Sequence, residues 1–251
     1  MFRLRYFVQF SYFGKAYHGW QNQPNAITVQ QVLEEGLSTL LRSKVSVLGA
    51  GRTDAGVHAK EMFAHFDFDL IPSPSDLAQR LNNYLPTDIA IKDICLVTSD
   101  AHARFDALER TYEYWLVQEK NPFYSESAHF IWSVLDIEAM NKAAAVLLEY
   151  EDFECFSKTN TDVKTFLCKI KNAVWEQKED KLVFTITADR FLRNMVRAIV
   201  GTLLEIGLGK KSPEVIRAII ESKNRSMAGA SVPAKGLYLT KIRYPEKLFN
   251  E

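Results

Sequence analysis

A short polar segment before residue 60 brings together side chains that are common in active sites. Its sequence, from Gly51 to Ala59, is Gly-Arg-Thr-Asp-Ala-Gly-Val-His-Ala, and it lies between two apolar runs. Its glycines allow a sharp turn or the close approach of a ligand to the backbone. Arg52 offers a cation that can clamp an anion, and Asp54 offers a carboxylate that can act as nucleophile or base. A tight connection between strands, with Asp54 hydrogen-bonded to its own backbone, fits the same composition. Composition alone leaves both interpretations open.

The histidines and cysteines are not spaced as metal ligands. None of the five histidines is paired with cysteine or carboxylate at such a spacing, so we predict no metal site. We expect His58 to orient the Gly51–Ala59 segment rather than to act as a general base. The three cysteines, Cys95, Cys155 and Cys168, are widely spaced. This pattern is typical of neither a disulfide framework nor a zinc site, and it favours the reducing cytoplasm.

The composition is that of a globular protein with ample core. The chain has 251 residues, of which 47% are hydrophobic and 25% charged. No apolar run approaches the roughly 20 residues needed to span a bilayer, and the N-terminus lacks the pattern of a secretory signal. We therefore expect no membrane association.

Charge is segregated along the chain, although the net charge is zero. Residues 190–225 carry eight basic and three acidic side chains, and residues 1–60 carry seven basic and three acidic ones. Residues 61–106 carry three basic and eight acidic side chains. A basic face suits a polyanion such as RNA, but charge segregation also arises by chance on solvated surfaces.

The predicted strands and helices that position these residues have the same order in both halves of the chain. In the first half, alternation and capping signals predict strands and helices over 4–10, 28–41, 45–48, 63–68, 75–84 and 89–97, and the predicted caps of the two helices are Thr28 and Ser75. In the second half they predict elements over 111–117, 136–150, 166–175, 182–187, 191–206 and 237–242, with Asp136 as the cap of the first helix and one added helix from Ser212 to Glu221. Both halves then have the order β-α-β-β-α-β.

This order predicts an α+β protein made of two ferredoxin-like domains whose sheets pack around a central cleft. We place the domains at residues 1–104, which carry the Gly51–Ala59 segment, and 105–251.

Six ordered blocks along the chain resemble the tRNA pseudouridine synthases that modify the anticodon arm. The Gly51–Ala59 segment resembles the active-site signature of that family. The other blocks are Tyr17–Gln23, Asn83–Pro86, Phe105–Tyr114, Phe191–Gly201 and Pro233–Leu239. Together they span nearly the whole chain. The chain departs from the family pattern at Tyr12–Lys15 and at Pro233–Lys235, which affects expected RNA contacts rather than the chemistry.

The resemblance implies isomerisation of uridine to pseudouridine at positions 38, 39 and 40 in the anticodon stem-loop of tRNAs. Nothing is oxidised and no group is imported, so we expect no cofactor. The resemblance assigns Asp54 as the catalytic nucleophile. The residues themselves do not decide between attack on the base, attack on the sugar and proton abstraction.

The resemblance also assigns the residues around Asp54. Arg197 is the implied ion-pair partner that keeps the carboxylate charged. Arg52 displaces the base or holds phosphate, Tyr112 stacks on the target uracil, and Leu237 packs beside it. Each has an ordinary alternative: a surface arginine for Arg52 and Arg197, and a core residue for Tyr112 and Leu237.

The implied partners are the tRNA anticodon arm and a second copy of the chain. We expect a homodimer in which the basic segments 1–60 and 190–225 line a groove for tRNA. Two other functions compete with this interpretation. The first is an RNA-binding module without catalysis, in which Tyr112 and Trp20 stack on bases. The second is an Asp-dependent hydrolase, which would need a metal-ligand set or a water-activating base that the sequence does not show.

Overall fold

The computed structural model describes residues 3–159 and 163–249, and its mixed α and β elements fall into two compact units. The first unit comprises Met1–Leu108 and Leu239–Glu251, and the second comprises Glu109–Tyr238. The boundary near the C-terminus falls inside the last strand. Each unit is described below by itself.

The first unit contains an antiparallel sheet and two helices. In chain order its elements are β1 (Leu4–Tyr12), α1 (Val29–Leu41), β2 (Leu48–Gly49), β3 (His58–Phe68), α2 (Pro74–Tyr84) and β4 (Ile89–Val97). Strand β1 lies between β3 and β4 and pairs antiparallel with both. The short strand β2 pairs with β3. The final strand β9 (Leu237–Arg243) also lies beside β3.

Strand β1 is buried on both faces rather than on one. The alternation of its apolar residues predicts one buried face, yet Tyr6, Phe7 and Val8 are all buried. The ring of Phe7 lies 5.2 Å from that of Tyr244 and 6.1 Å from that of Phe249. The C-terminal segment therefore covers the second face of the sheet.

Capping residues set the helix starts of the first unit. The predicted cap Thr28 is confirmed, because its side chain accepts a hydrogen bond from the Gln31 backbone N–H at 3.3 Å. The predicted cap of α2, Ser75, is wrong. Ser73 caps that helix by accepting from the Asp76 N–H, and Pro74 occupies the first turn, where a missing N–H costs nothing.

The described part of the second unit has four strands of its own and three helices. Its elements are β5 (Glu109–Val117), β6 (His129–Phe130), α3 (Ile137–Val146), β7 (Ile170–Lys178), β8 (Lys181–Ala188), α4 (Met195–Gly207) and α5 (Val215–Ser222). Strand β8 lies between β5 and β7, and the unpredicted β6 pairs parallel with β5. Asp136 caps α3 as predicted.

Helix α4 begins four residues later than predicted. The apolar run from Phe191 predicts a helix from that residue, but Asn194 has a left-handed backbone with φ of 67°. The chain therefore turns at Asn194 before the helix starts at Met195. Almost every residue of α4 is buried, which explains why its sequence is mostly apolar.

No helix among the described residues is long and apolar enough to cross a membrane.

Candidate active site

The Gly51–Ala59 segment forms a loop from β2 into the start of β3, and backbone hydrogen bonds hold it at several points. The Thr53 carbonyl accepts from the Trp20 N–H at 3.3 Å, and the Gly56 N–H donates to the Tyr17 carbonyl at 3.3 Å. A further bond from the Val57 N–H to the Asp54 carbonyl, at 3.2 Å, closes a turn. The backbone that carries Asp54 is therefore fixed on both sides of that residue.

Two glycines outside the loop let another part of the backbone approach it closely. A Cβ at Gly19 would lie 2.3 Å from the Thr53 carbonyl oxygen, and φ of Gly19 is 87°. A Cβ at Gly14 would lie 1.9 Å from the Val57 carbonyl oxygen. Any side chain at either position would displace the loop, so these glycines are part of its structure.

His58 and Tyr12 complete the support of the loop. His58 is buried, its Nδ1 accepts from the Gly14 N–H at 2.9 Å, and its ring stacks on Phe13 at 4.1 Å. The hydroxyl groups of Tyr12 and Thr53 are 2.8 Å apart. His58 thus has the contacts of a residue that orients the loop, which is the role expected for it.

The side chains of the loop differ in exposure. Asp54 is half-buried, whereas Arg52 is exposed. A half-buried carboxylate on a fixed backbone can act on a ligand without first reorganising the chain that holds it.

In the second unit, Arg197 lies in the first turn of α4 and binds a neighbouring segment. Its Nε donates to the Val232 carbonyl at 2.7 Å, and the Val232 N–H donates to the Arg197 carbonyl at 3.3 Å. Further along α4, a Cβ at Gly201 would lie 1.8 Å from the Ala230 carbonyl oxygen. The segment around Val232 can lie against the helix because Gly201 has no side chain.

The same segment continues into the block that carries Leu237. The Tyr114 hydroxyl donates to the Pro233 carbonyl at 2.8 Å, and burial raises the pKa of Tyr114, which keeps that hydroxyl protonated. A Cβ at Gly236 would lie 2.7 Å from the Tyr114 ring. Leu237 follows and is buried. Tyr114 was not among the predicted site residues. It lies two positions after Tyr112 on β5, and residues two apart on a strand lie on the same face.

Tyr112 lies on β5 opposite Ile186 and is half-buried. Its ring meets Phe191 edge-on, with ring centroids 5.1 Å apart at an interplanar angle of 86°. This T-shaped contact fixes the ring plane while leaving part of the ring accessible.

The predicted site residues fall into two local groups. Asp54 and Arg52 share one loop of the first unit, and Tyr112, Arg197 and Leu237 belong to the second unit. Within the second unit, Arg197 binds Val232 at one end of the segment 232–237, and Leu237 is the other end of that segment. The pairing of Asp54 with Arg197 stays a prediction. Among the described residues, no group of three or more histidine, cysteine, aspartate or glutamate side chains could hold a metal ion.

Comparison with known proteins gives a consistent result. The sequence model of a family described as tRNA pseudouridine synthase matches residues 9–106 and 143–245. These ranges include Asp54, Arg197 and Leu237, whereas Tyr112 lies between them. The chain is 52% identical over 247 residues to tRNA pseudouridine synthase A of Bacteroides fragilis, covering 98% of both chains.

Two further relatives carry the same description. The protein of Parabacteroides distasonis is 54% identical over 246 residues, with 98% of both chains covered. That of Porphyromonas gingivalis is 53% identical over 249 residues, covering 98% of this chain and 99% of the relative.

Proposed function

The chain belongs to the tRNA pseudouridine synthase family, and from that premise we propose that it modifies uridines 38, 39 and 40 in the anticodon stem-loop. Family membership makes the protein an isomerase that acts on uridine in tRNA. The observation that carries the finer proposal is the fixed loop that presents Asp54.

The reaction needs one well-placed carboxylate. The bond between N1 of uracil and C1′ of ribose breaks, the base rotates, and a bond forms between C5 and C1′. The hydrogen of C5 is lost and N1 gains one, so substrate and product are isomers. We assign Asp54 as the nucleophile of this reaction. In our proposal the reaction uses neither a cofactor nor a metal.

The other residues prepare the site for that carboxylate. Arg197 is the proposed ion-pair partner of Asp54, and its bond to the Val232 carbonyl fixes its side chain. Arg52, exposed on the same loop as Asp54, would displace the target base from its stack or hold phosphate. Tyr112 would stack on the uracil, and Leu237 would pack beside it.

The proposal extends to the architecture. We assign each half of the chain, residues 1–104 and 105–251, to a variant of the ferredoxin-like domain. The antiparallel strand order β4-β1-β3, with β2 beside β3, supports this for the first half. The proposal also includes a cytoplasmic homodimer that binds the tRNA anticodon arm.

The test is pseudouridine formation in an unmodified tRNA transcript with purified protein. Wild type is expected to convert uridine at positions 38–40, and Asp54→Asn is expected to form none, because the amide is a far weaker nucleophile of nearly the same size. The variant should retain its unfolding midpoint and its affinity for tRNA. If wild type forms no pseudouridine in any tRNA, the proposal is wrong.

A further inference from the structure

We propose that Lys181 is a positioning residue for the reaction and that it acts through Leu237. This role rests on the proposed function, in which Leu237 packs beside the target uracil. Lys181 itself makes no contact with the substrate in this proposal. Instead it holds residues 121–128 (the brace), to which the chain on both sides of Leu237 is hydrogen-bonded.

Two hydrogen bonds attach the chain around Leu237 to the brace. Nζ of Lys235 donates to the Ser125 carbonyl at 2.6 Å, and the Tyr238 hydroxyl donates to the Ser127 carbonyl at 2.6 Å. Burial raises the pKa of Tyr238, so its hydroxyl stays protonated and keeps that bond. Leu237 lies between these two attachments and is buried. Its position therefore depends on the position of the brace.

The brace is a turn of chain with its own hydrogen bonds. Asn121 caps it, because its side chain accepts from the Phe123 N–H at 2.9 Å. The Tyr124 carbonyl accepts from the N–H groups of Ser127 at 3.2 Å and Ala128 at 3.0 Å. A displacement of Tyr124 would therefore move the carbonyl groups that hold the chain around the proposed uracil contact.

Lys181, the first residue of β8, fixes the side chain of Tyr124. Its Nζ donates to the Tyr124 hydroxyl at 2.9 Å, and that hydroxyl donates to Oδ1 of Asp180 at 3.0 Å. The Lys181 side chain is only 14% exposed. The hydrogen bond to Tyr124 raises the pKa of Lys181, so the ammonium group stays charged. Lys181 thus anchors the brace to the sheet.

The same ammonium group also contacts the ring on which Tyr238 stacks. Nζ of Lys181 lies 5.3 Å from the centroid of the Trp115 ring, which is within the range of a cation–π interaction. The rings of Trp115 and Tyr238 are stacked, with centroids 4.1 Å apart at an interplanar angle of 27°. Lys181 is therefore connected to the residue after Leu237 by a second route that does not pass through the brace.

The orientation of the base is what links these contacts to the reaction. The uracil must rotate between bond breaking and bond formation, and Leu237 is the proposed apolar surface beside it. Because a misplacement of about 1 Å in a site can lower a rate roughly 100-fold, a smaller displacement of Leu237 should still slow the reaction. Affinity for tRNA depends on many other contacts and should change little.

The experiment breaks the bond between Lys181 and Tyr124 in proteins that have or lack the Leu237 side chain. Lys181→Met keeps a side chain of similar length without the charge, and Tyr124→Phe removes only the hydroxyl group. Single-turnover pseudouridine formation in an unmodified tRNA transcript, over a range of protein concentrations, gives the maximal rate and the half-saturating concentration. Each variant should lower the maximal rate about 3- to 10-fold and change the half-saturating concentration less than about twofold.

The Leu237→Ala background separates a positioning role from a merely structural one. Leu237→Ala alone should lower the maximal rate. In that background, Lys181→Met and Tyr124→Phe should each lower the rate further by less than about twofold, because the side chain that they position is gone.

The matched control for Tyr124→Phe is Tyr150→Phe. The Tyr150 hydroxyl donates to a carboxylate oxygen of Glu221 at 2.8 Å, in the same unit. Tyr150→Phe removes a comparable bond and should keep the wild-type rate. Urea unfolding of each variant establishes that folded proteins are compared. If Lys181→Met does not fold, Tyr124→Phe provides the test by itself.

Equal loss of rate with and without the Leu237 side chain would show that Lys181 does not act through that residue, and would overturn the inference. Wild-type rates in Lys181→Met and Tyr124→Phe, or in Leu237→Ala alone, would also overturn it. An equal loss in Tyr150→Phe would do the same. Absence of pseudouridine with wild type would instead overturn the proposed function, so the two failures are distinct.

Discussion

Asp54 lies on a loop whose shape depends on residues distant from it in the sequence. The composition of the loop was enough to single out Asp54 and Arg52. It was not enough to predict that Gly14 and Gly19 lie against the loop, because close approach of two backbones leaves no periodic pattern in the sequence. The resemblance to a known family, rather than the residues alone, ranked Asp54 above an ordinary turn residue.

Two substitutions of Tyr112 test its proposed stacking on the target uracil. Tyr112→Phe keeps a flat ring, whereas Tyr112→Leu keeps only apolar bulk. Since base stacking on an aromatic ring is worth about 1–3 kcal/mol, Tyr112→Leu should lower kcat/KM roughly 5- to 150-fold relative to Tyr112→Phe. The measurement is single-turnover pseudouridine formation. Equal loss in both variants would show that the hydroxyl group takes part in the chemistry and that stacking is not the role of the residue.

A histidine pair in the first unit links stability to pH. The rings of His65 and His102 lie 4.5 Å apart. Burial lowers the pKa of His65 to about 4, and the charges of His102 and Arg5 act in the same direction, whereas Asp67 and Asp106 oppose it. Burial likewise lowers the pKa of His102.

Because the unfolded chain binds more protons than the native chain, the free energy of unfolding should fall as pH falls from about 6.5 to about 4. His65→Asn should reduce this dependence, since its Oδ1 can replace Nδ1 as acceptor for the Ala103 N–H but does not titrate. Urea unfolding at several pH values measures the effect. An unchanged dependence in His65→Asn would refute the assignment.

At the scale of elements, capping signals predicted helix starts well where a side chain bonds to the backbone of the first turn. Thr28 and Asp136 are examples. The start of α4 was predicted wrongly because the residues from Phe191 are apolar and helix-compatible, while the left-handed turn at Asn194 has no distinct sequence signal. Strand β3 begins at His58 rather than Phe63, so the strand takes in the last residues of the loop segment.

The close packing of α4 against the segment around Ala230 can be tested by substituting Gly201. Alanine there improves helix propensity, yet its Cβ would lie 1.8 Å from the Ala230 carbonyl oxygen. We expect Gly201→Ala to destabilise the protein by about 1–3 kcal/mol and to lower activity, since Arg197 binds the displaced segment. Urea unfolding and pseudouridine formation measure the two effects.

Gly36 in α1 is the matched control. A Cβ at this helical glycine would meet only side-chain atoms, at 3.1 Å from Leu85 and 3.2 Å from Leu81. These side chains can adjust, so Gly36→Ala should stay within about 1 kcal/mol of wild type. If Gly201→Ala is as stable as Gly36→Ala, the close packing assigned to α4 is incorrect.

At the scale of the whole molecule, the chain returns to its first unit at the end. Within that unit the Leu108 N–H donates to the Arg243 carbonyl at 2.8 Å, and the Ile242 N–H donates to Glu61 at 2.7 Å. The Tyr244 hydroxyl bonds to the Ala103 carbonyl. Such a return pairs residues more than a hundred positions apart, and no local pattern in the sequence encodes it.

Recognition of tRNA should depend strongly on salt. The basic segments 1–60 and 190–225 would contact phosphates, and each contact releases counterions. The log of the wild-type affinity should therefore fall linearly as the log of salt concentration rises, as filter binding would show. A flat dependence would count against backbone contacts as the main source of affinity.

We propose that the carboxylate of Asp54 is required to form pseudouridine at positions 38–40 of tRNA. The most direct test maps pseudouridine in tRNA from cells that lack this protein and that carry either wild type or Asp54→Asn. We expect modification at these positions with wild type and none with Asp54→Asn, at equal protein levels. Modification that persists with Asp54→Asn, or that does not depend on the protein at all, would contradict it.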